Sequence, residues 1–170
     1  MLNEFGEYTG ETATREECVE KGLWHKDSCV YILSKDNKNI LLQKRSPEKR
    51  PWPNMWDVSV GGHVNAGELG THAIIRELKE ELGIDVKKED LEFVGCATNI
   101  GKHKHYNEFY AIHVEIDPQI LELQKEEVQG VKWFQIEEVK KMAYNNYDGI
   151  TPKVCCWNHL FNYIKIQNKV

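Results

Sequence analysis

The feature that most constrains how this chain can fold is the stretch from residue 62 to residue 84, where glutamates and an arginine lie between two glycines. Ile74, Leu78 and Leu82 recur every four residues, a spacing that gives a helix one apolar face for packing on a core. Gly83 follows at the position where a helix usually ends. The pattern therefore predicts a loop that runs into a single amphipathic helix.

Three carboxylates of this helix share a second face. Glu77, Glu80 and Glu81 are spaced i, i+3, i+4, so all three project in the same direction. Like charges at this spacing repel by a few tenths of a kcal/mol per pair, and Arg76 alone cannot neutralise them together with Glu68. Mg²⁺ binds a few carboxylates together with water and phosphate oxygens. We therefore expect a Mg²⁺ site here, with Mn²⁺ as a substitute.

Written out, the stretch is Gly62, five residues, Glu68, seven residues and then Arg-Glu-Leu-x-Glu-Glu-x-Gly-Ile, which ends at Ile84. It resembles the signature of the Nudix hydrolase family at every defined position. The resemblance implies an α/β fold of the α+β type, namely an α/β/α sandwich around a mixed β-sheet. It also implies hydrolysis of a diphosphate linkage in a nucleoside diphosphate derivative or related metabolite, by attack of a metal-activated water on phosphorus.

The resemblance assigns roles to residues of the signature. Glu80 and Glu81 are expected to bind the metal directly, and Glu77 either shares the metal or acts as the general base. Arg76 is expected to orient Glu77, with a simple i,i+4 ion pair to Glu80 as the alternative. Glu68 is expected to support the loop or a water molecule next to the metal.

Residues outside the helix complete the expected metal site. The backbone carbonyl of Gly61 is a further ligand by resemblance. Glu127, with its neighbour Glu126 as a rival, is the expected additional carboxylate, and Glu108 matches a metal-binding carboxylate of a related branch. The expected catalytic residues are Glu68, Arg76, Glu77, Glu81 and Glu127, and the expected metal ligands are Gly61, Glu77, Glu80, Glu81 and Glu127.

Substrate-binding residues are expected in two loops. Arg45 and Lys49 belong to a proline-rich basic loop and are expected to contact the diphosphate. Gly62 lets the substrate approach the backbone, and His63 either contacts phosphate or caps the turn. The basic residues 102–105 form a hairpin tip, for which simple exposure is the favoured interpretation.

The related branch is that of the isopentenyl-diphosphate isomerases. Four further stretches resemble it, namely residues 22–25, 41–46, 49–53 and 56–63. Those isomerases need a cysteine at the position of Gly61, since a thiol transfers one of the protons, and their Nudix signature is eroded. The intact signature therefore favours a hydrolase, and the alternatives are an isomerase-like enzyme and a catalytically silent ligand-sensing module.

The composition limits the partners. The net charge of −5 and pI near 5.8 indicate that the chain lacks the broad basic field that nucleic acid or a membrane surface requires, so we expect neither as a partner. The partner that the resemblance implies is a small-molecule diphosphate. No apolar run approaches the roughly 20 residues of a membrane helix, and the N-terminus does not resemble a signal peptide. With five cysteines and no Cys-x-x-Cys pair, the expected location is the cytoplasm, and base rates favour a homodimer.

The whole chain, residues 1–170, is expected to form a single domain, with an N-terminal extension over 1–25 and a C-terminal helix over 151–170. Composition and turn signals predict the other elements. The expected strands are 29–33, 40–43, 55–60, 91–100, 108–116 and 128–134. The expected further helices start at 14 and 136, and residues 118–125 are expected to form a short helix or turn.

Overall fold

The computed structural model describes residues 1–101 and 103–169, and seven strands of this part of the chain form one mixed sheet. The strands are β1 His25–Leu33, β2 Asn39–Arg45, β3 Trp56–Asp57, β4 Val60–His63, β5 Glu92–Ile100, β6 Lys104–His113 and β7 Val128–Gln135. The helices are α1 Arg15–Lys21, α2 Gly70–Leu82, α3 Ile136–Tyr144 and α4 Val154–Gln167, with short 3₁₀ turns at Lys88–Asp90 and Pro118–Ile120.

The strand order is β3-β2-β1-β6-β5, with β4 paired to β1 and β7 paired to β2. Only the β1–β6 pair is parallel among the described strands. Strand β1 therefore lies in the middle of the sheet and is in register with both β4 and β6. This places residues that are distant in the sequence next to one another at the start of β1.

Helices cover both faces of the sheet. Val30 and Ile32 of β1 pack with α2 on one face, whereas Tyr31 and Leu33 pack with α3 and α4 on the other. Successive side chains of a strand point to opposite faces, which explains why β1 reads as a continuous apolar run. The predicted α/β/α sandwich with a mixed sheet is confirmed. None of the helices in the described part of the chain is long and apolar enough to cross a membrane.

Several predicted elements differ from the structure. Strands β1 and β6 each begin four residues earlier than expected, and β6 ends at His113 instead of residue 116. The strand expected over 55–60 is divided into β3 and β4, because the chain leaves its pairing with β2 and joins β1 instead. Ser59 lies at this change of partner, and its hydroxyl bonds the backbone of both Ile32 and Leu41. The C-terminal helix begins at Val154, since Thr151 still bonds the backbone of Trp56.

Candidate active site

Helix α2 carries the central carboxylates. Its side chains Ile74, Leu78 and Leu82 are fully buried against the sheet, and Gly83 ends the helix in the left-handed conformation with φ of 69°. The three glutamates on its other face are unequally exposed: Glu80 keeps 52% of its side-chain surface and Glu77 only 16%, whereas Glu81 as a residue is 4% exposed. The burial of Glu81 follows from its position beside the apolar face.

Arg76 connects the helix to the loop before it. Its Nε and Nη2 donate to the two carboxylate oxygens of Glu68, each at 3.1 Å, and Nη2 also donates to the carbonyl of His63 at 3.1 Å. Its Nη1 donates to Glu77 at 2.7 Å and to Glu80 at 3.2 Å. Both predicted pairings of Arg76 are therefore present. One guanidinium fixes the loop and two of the three helix carboxylates relative to each other.

Glu81 is the most perturbed carboxylate of the site. Burial, with the nearby charge of Glu77 adding to it, raises its pKa to about 8. Its one hydrogen bond from the described residues comes from Gln43 Nε2, at 3.1 Å. Burial also raises the pKa of Glu77, although Arg76 opposes the shift. Glu77 and Glu81 are thus two neighbouring, largely buried carboxylates whose raised pKa values disfavour ionisation. A hard divalent cation would stabilise their charged forms.

Strand β4 passes close to these carboxylates at its glycine pair, Gly61 and Gly62. A Cβ atom on Gly62 would lie 2.2 Å from Oε1 of Glu77, so no other residue fits without moving that side chain. A Cβ on Gly61 would approach Cys29 Sγ at 3.1 Å. The backbone of β4 therefore passes directly against Glu77 at Gly62, and the metal-ligand role of Gly61 stays a prediction.

A small polar cleft lies beside Glu81. Lys49 forms an ion pair with Glu127 there, whereas Glu126 is exposed and does not line the cleft. The structure thus brings Glu127 and Lys49 to the same cleft as Glu81, and their roles toward a metal and a phosphate stay predictions. The lining residues are Gln43, Arg45, Lys49, Asp57, Gly61, Glu81, Glu127 and Lys153.

Arg45 supports the basic loop from within. Its Nε donates to the carbonyl of Trp52 at 3.0 Å and its Nη2 to that of Pro51 at 2.9 Å, while Nη1 donates to Asp57 at 3.2 Å. All three nitrogens therefore have protein acceptors. The phosphate contact expected of Arg45 stays a prediction, and the observed contacts give it a role in shaping the loop.

A second group of metal-binding side chains lies at the start of β1. One ligand atom each of His25, Asp27 and His63 lies within 4.8 Å of the others, and His105 Nδ1 is 3.8 Å from Asp27 Oδ2. The other oxygen, Oδ1, is buried and accepts no hydrogen bond from the described residues. Burial lowers the pKa of His63 and His105, which favours the neutral imidazole that binds metals.

Sequence analysis did not find this His–Asp group. His25 and Asp27 are two residues apart and so share one face of β1, which was the only local signal. His63 and His105 arrive through the β4 and β6 pairings, which no local pattern shows. Lys102, one of the basic residues expected at the 102–105 hairpin tip, lies outside the described residues. His105 lies in β6 and belongs to the His–Asp group, not to an exposed turn.

Glu108, the other expected carboxylate, belongs to β6 and lies against Gly70, the first residue of α2. Lys26 Nζ and the hydroxyl of Tyr110 each donate to it at 2.8 Å. A Cβ on Gly70 would lie 1.8 Å from its Oε2, so the helix begins directly against this carboxylate. The charge of Glu108 is paired to Lys26, and Glu108 does not line the cleft that contains Glu81.

The intact cluster of Arg76 with its glutamates, set on a sandwich fold, can be compared with known proteins. A sequence model of the NUDIX domain matches residues 24–154. The chain belongs to the Nudix family. It is 35% identical to an uncharacterized Nudix hydrolase of Clostridium acetobutylicum, over 81% of this chain and 69% of that protein.

It is also 35% identical to Nudix hydrolase 3 of Arabidopsis thaliana, over 87% of this chain but only 21% of that longer protein. In fold, it resembles the crystal structure of DR0079 from Deinococcus radiodurans, with a TM-score of 0.67, 20% identity and coverage of 89% of this chain and 90% of that one. The predicted family and the predicted class, a hydrolase acting on diphosphate bonds, are confirmed at the level of the family.

Two other relatives concern isoprenoid diphosphates. The prenyl-diphosphate phosphatase of Methanosarcina mazei is 32% identical over 75% of this chain and 74% of that protein. The isopentenyl-diphosphate delta-isomerase of Schizosaccharomyces pombe is 29% identical over 88% of this chain and 76% of that protein. The predicted resemblance to the isomerase branch is therefore confirmed as well.

Proposed function

We propose that this chain is a Mg²⁺-dependent Nudix hydrolase that cleaves the diphosphate linkage of a small metabolite by attack of water on phosphorus. One observation carries the proposal: the buried Glu81, with its pKa raised to about 8, faces a cleft that also contains Lys49 and Lys153. Carboxylates on one wall suit a cation, and ammonium groups nearby suit the phosphate that the cation would neutralise.

The residues that would hold Mg²⁺ are Glu77, Glu80, Glu81 and Glu127 with the carbonyl of Gly61. Their hard oxygen donors suit Mg²⁺ or Mn²⁺, whereas the nitrogen-rich group around Asp27 suits softer metals. When bound, such a cation lowers the pKa of a coordinated water and neutralises phosphate oxygens.

The protein's own groups then position the reaction. Arg76 holds Glu77 at 2.7 Å, which fixes the orientation of one of the two carboxylates that can take the proton from water. Gln43 does the same for Glu81, the other one. Lys49, released from Glu127 when that carboxylate binds a cation, would contact the phosphate of the substrate.

The substrates of the relatives suggest an isoprenoid or similar metabolite diphosphate. An isomerase is the second candidate, and it lacks a thiol at Gly61. The nearest one, on Cys29, is buried, and its hydrogen bond with Cys156, together with burial, raises its pKa well above the usual value. Such a thiol is a poor proton-transfer group, which favours hydrolysis.

The proposal is tested by measuring the phosphate or the phosphate monoesters released from a panel that includes isopentenyl diphosphate, a nucleoside diphosphate, a nucleotide sugar and a dinucleoside diphosphate. Each compound is assayed with Mg²⁺, with Mn²⁺ and with EDTA. We expect release only with metal and a loss of at least about 100-fold in Glu81→Gln. The exposed Glu138 on α3 supplies the matched control, Glu138→Gln, which should retain the full rate. Release in EDTA, an unaffected Glu81→Gln enzyme, or isomerisation without release would overturn the proposal.

A further inference from the structure

Asp27 and the histidines around it form a group that the proposed hydrolysis does not use. His25 and Asp27 are alternate residues of β1, so both point to the side of the sheet that carries Cys29 and packs with α3 and α4. Helix α2, which bears the carboxylates, packs on the opposite side. The cleft beside Glu81 is lined by other residues. The His–Asp group is therefore separate from the proposed Mg²⁺ site.

The register of the sheet fixes the positions of these side chains. Asp27 lies directly opposite His63 of β4, and His25 lies directly opposite His105 of β6. Residues that face each other in this way share one side of the sheet. All four side chains start from hydrogen-bonded strands, so little of the group has to be ordered when a ligand binds.

Three possible metal-binding atoms converge in this group. Nε2 of His25 and Nε2 of His63 each lie 3.7 Å from Oδ1 of Asp27, and one ligand atom of each residue lies within 4.8 Å of the others. A separation of 3.7 Å is too long for a hydrogen bond. It is close to the roughly 3.4 Å between neighbouring ligand atoms around a tetrahedral Zn²⁺ with bonds of about 2.1 Å. The spacing therefore suits a metal ion better than a direct contact.

The carboxylate of Asp27 lacks a compensating partner. Its Oδ1 is buried and accepts no hydrogen bond from the described residues. The described residues within ion-pair distance of this carboxylate are three histidines. Burial lowers the pKa of His63 and of His105, so both rings are neutral at pH 7. A buried carboxylate oxygen without a donor or a nearby positive charge is costly, and a bound cation would remove that cost.

His25 is already oriented as a metal ligand. Its Nδ1 lies 3.0 Å from the carbonyl of Leu23, and because a carbonyl only accepts, Nδ1 carries the proton and Nε2 keeps its lone pair toward Asp27. Metal-bound histidines usually donate their second N–H in this way. His63 stacks on His25 with 5.3 Å between the ring centroids and keeps 35% of its side chain exposed. An ion can therefore enter from solvent past His63.

We propose that His25, His63 and Asp27 together bind a transition-metal ion of the Zn²⁺ class. Nδ1 of His105 lies 3.8 Å from the other oxygen of Asp27, which places a third imidazole next to the ion. Imidazole donors suit Zn²⁺, whereas Mg²⁺ prefers oxygen alone. The ion would tie β1 to β4. Since the carbonyl of His63 accepts from Arg76 at 3.1 Å, it would also fix the strand that Arg76 contacts. Metal binding here is independent of the proposed hydrolysis.

The test is equilibrium dialysis against Zn²⁺ in a buffer with excess Mg²⁺, which occupies the carboxylates of α2, followed by measurement of the bound zinc. We expect one Zn²⁺ per parent chain. Asp27→Asn and His25→Gln should each weaken binding at least about 100-fold, because even a change next to a metal ligand costs about 10- to 100-fold. His72→Gln, at an exposed histidine of α2, is the matched control and should bind as the parent does. Glu81→Gln should also bind Zn²⁺ normally, since its carboxylate belongs to the other site.

Thermal unfolding separates loss of the ligand from loss of the fold. Zn²⁺ should raise the unfolding midpoint of the parent and of His72→Gln, and it should leave that of Asp27→Asn unchanged. In EDTA, Asp27→Asn should be at least as stable as the parent, because it no longer buries an uncompensated charge. The proposal is overturned if the parent binds no Zn²⁺, if Asp27→Asn binds it as the parent does, or if Glu81→Gln loses it. An Asp27→Asn protein that is less stable than the parent in EDTA would also overturn it, because the carboxylate would then have a structural role without metal.

Discussion

Replacing Glu81 by glutamine should stabilise the metal-free protein at neutral and alkaline pH. The residue is 4% exposed, and burial raises its pKa from 4.5 to about 8. Between these two values the folded protein keeps the carboxyl proton while the unfolded chain loses it, so the free energy of unfolding falls as the pH rises. Glutamine removes this penalty and can still accept the hydrogen bond from Gln43.

The size of the effect follows from the shift. One pKa unit corresponds to about 1.4 kcal/mol, so ionisation of Glu81 should lower the free energy of unfolding by about 4 kcal/mol at pH 8 and by less than about 1 kcal/mol at pH 5. The difference between Glu81→Gln and the parent should therefore grow with pH. Burial lowers the pKa values of His63 and His105, so these two residues make the free energy of unfolding rise with pH in this range. They do so in both proteins, and their contribution cancels in the difference.

The assay is urea unfolding of both proteins in EDTA at pH 5, 7 and 8. Mg²⁺ added at pH 8 should stabilise the parent and have much less effect on Glu81→Gln, because the carboxylate that binds the cation is missing. A stability difference that stays constant with pH, or a parent that is the more stable protein at pH 8, would refute the reasoning about Glu81.

Three further substitutions test separate parts of the site. Gly62→Ala should lower kcat on the order of 100-fold while the unfolding midpoint changes little, because the new methyl group displaces the carboxylate of Glu77; steady-state kinetics within threefold of the parent would contradict this. Arg76→Lys should lower kcat at least about tenfold, since an ammonium cannot make the two-point contact with Glu68, and a fully active lysine variant would show that this contact is dispensable. Leu78→Ala should reduce the free energy of unfolding in urea by about 2–5 kcal/mol, because Leu78 is fully buried, and a loss below about 1 kcal/mol would argue against its place in the core.

Local patterns predicted the parts of this protein that local interactions determine. Helix α2 was predictable because its apolar spacing and Gly83 lie within one short stretch. Strand β1 was predictable from its β-branched and aromatic content, and its burial on both faces explains that content. The contact of Arg76 with Glu80 also follows from their i,i+4 spacing, whereas its contact with Glu77 was expected only from the family resemblance.

Strand pairing and long-range contacts were not predictable in this way. The 55–60 segment reads as one strand, and only its two different partners reveal the break at Ser59. Lys153 has no local signal, because the bridge between Ile150 and Trp56 is what delivers it to the cleft. The same holds for His105, which meets Asp27 across the parallel β1–β6 pair. Each of these depends on the sheet register, which a single sequence does not encode locally.

Helix α2 has a consequence for any attempt to engineer this protein. Its core residues and its carboxylates belong to the same rigid rod, with Glu81 next in the chain to the buried Leu82. A side chain that extends about 6 Å from the axis of a helix moves by about 1 Å when the rod turns by about 10°, and a displacement of that size can lower a reaction rate about 100-fold. Repacking the core beneath α2 would therefore also shift the carboxylates of the candidate active site. Thermal stability and turnover cannot be optimised independently in this protein.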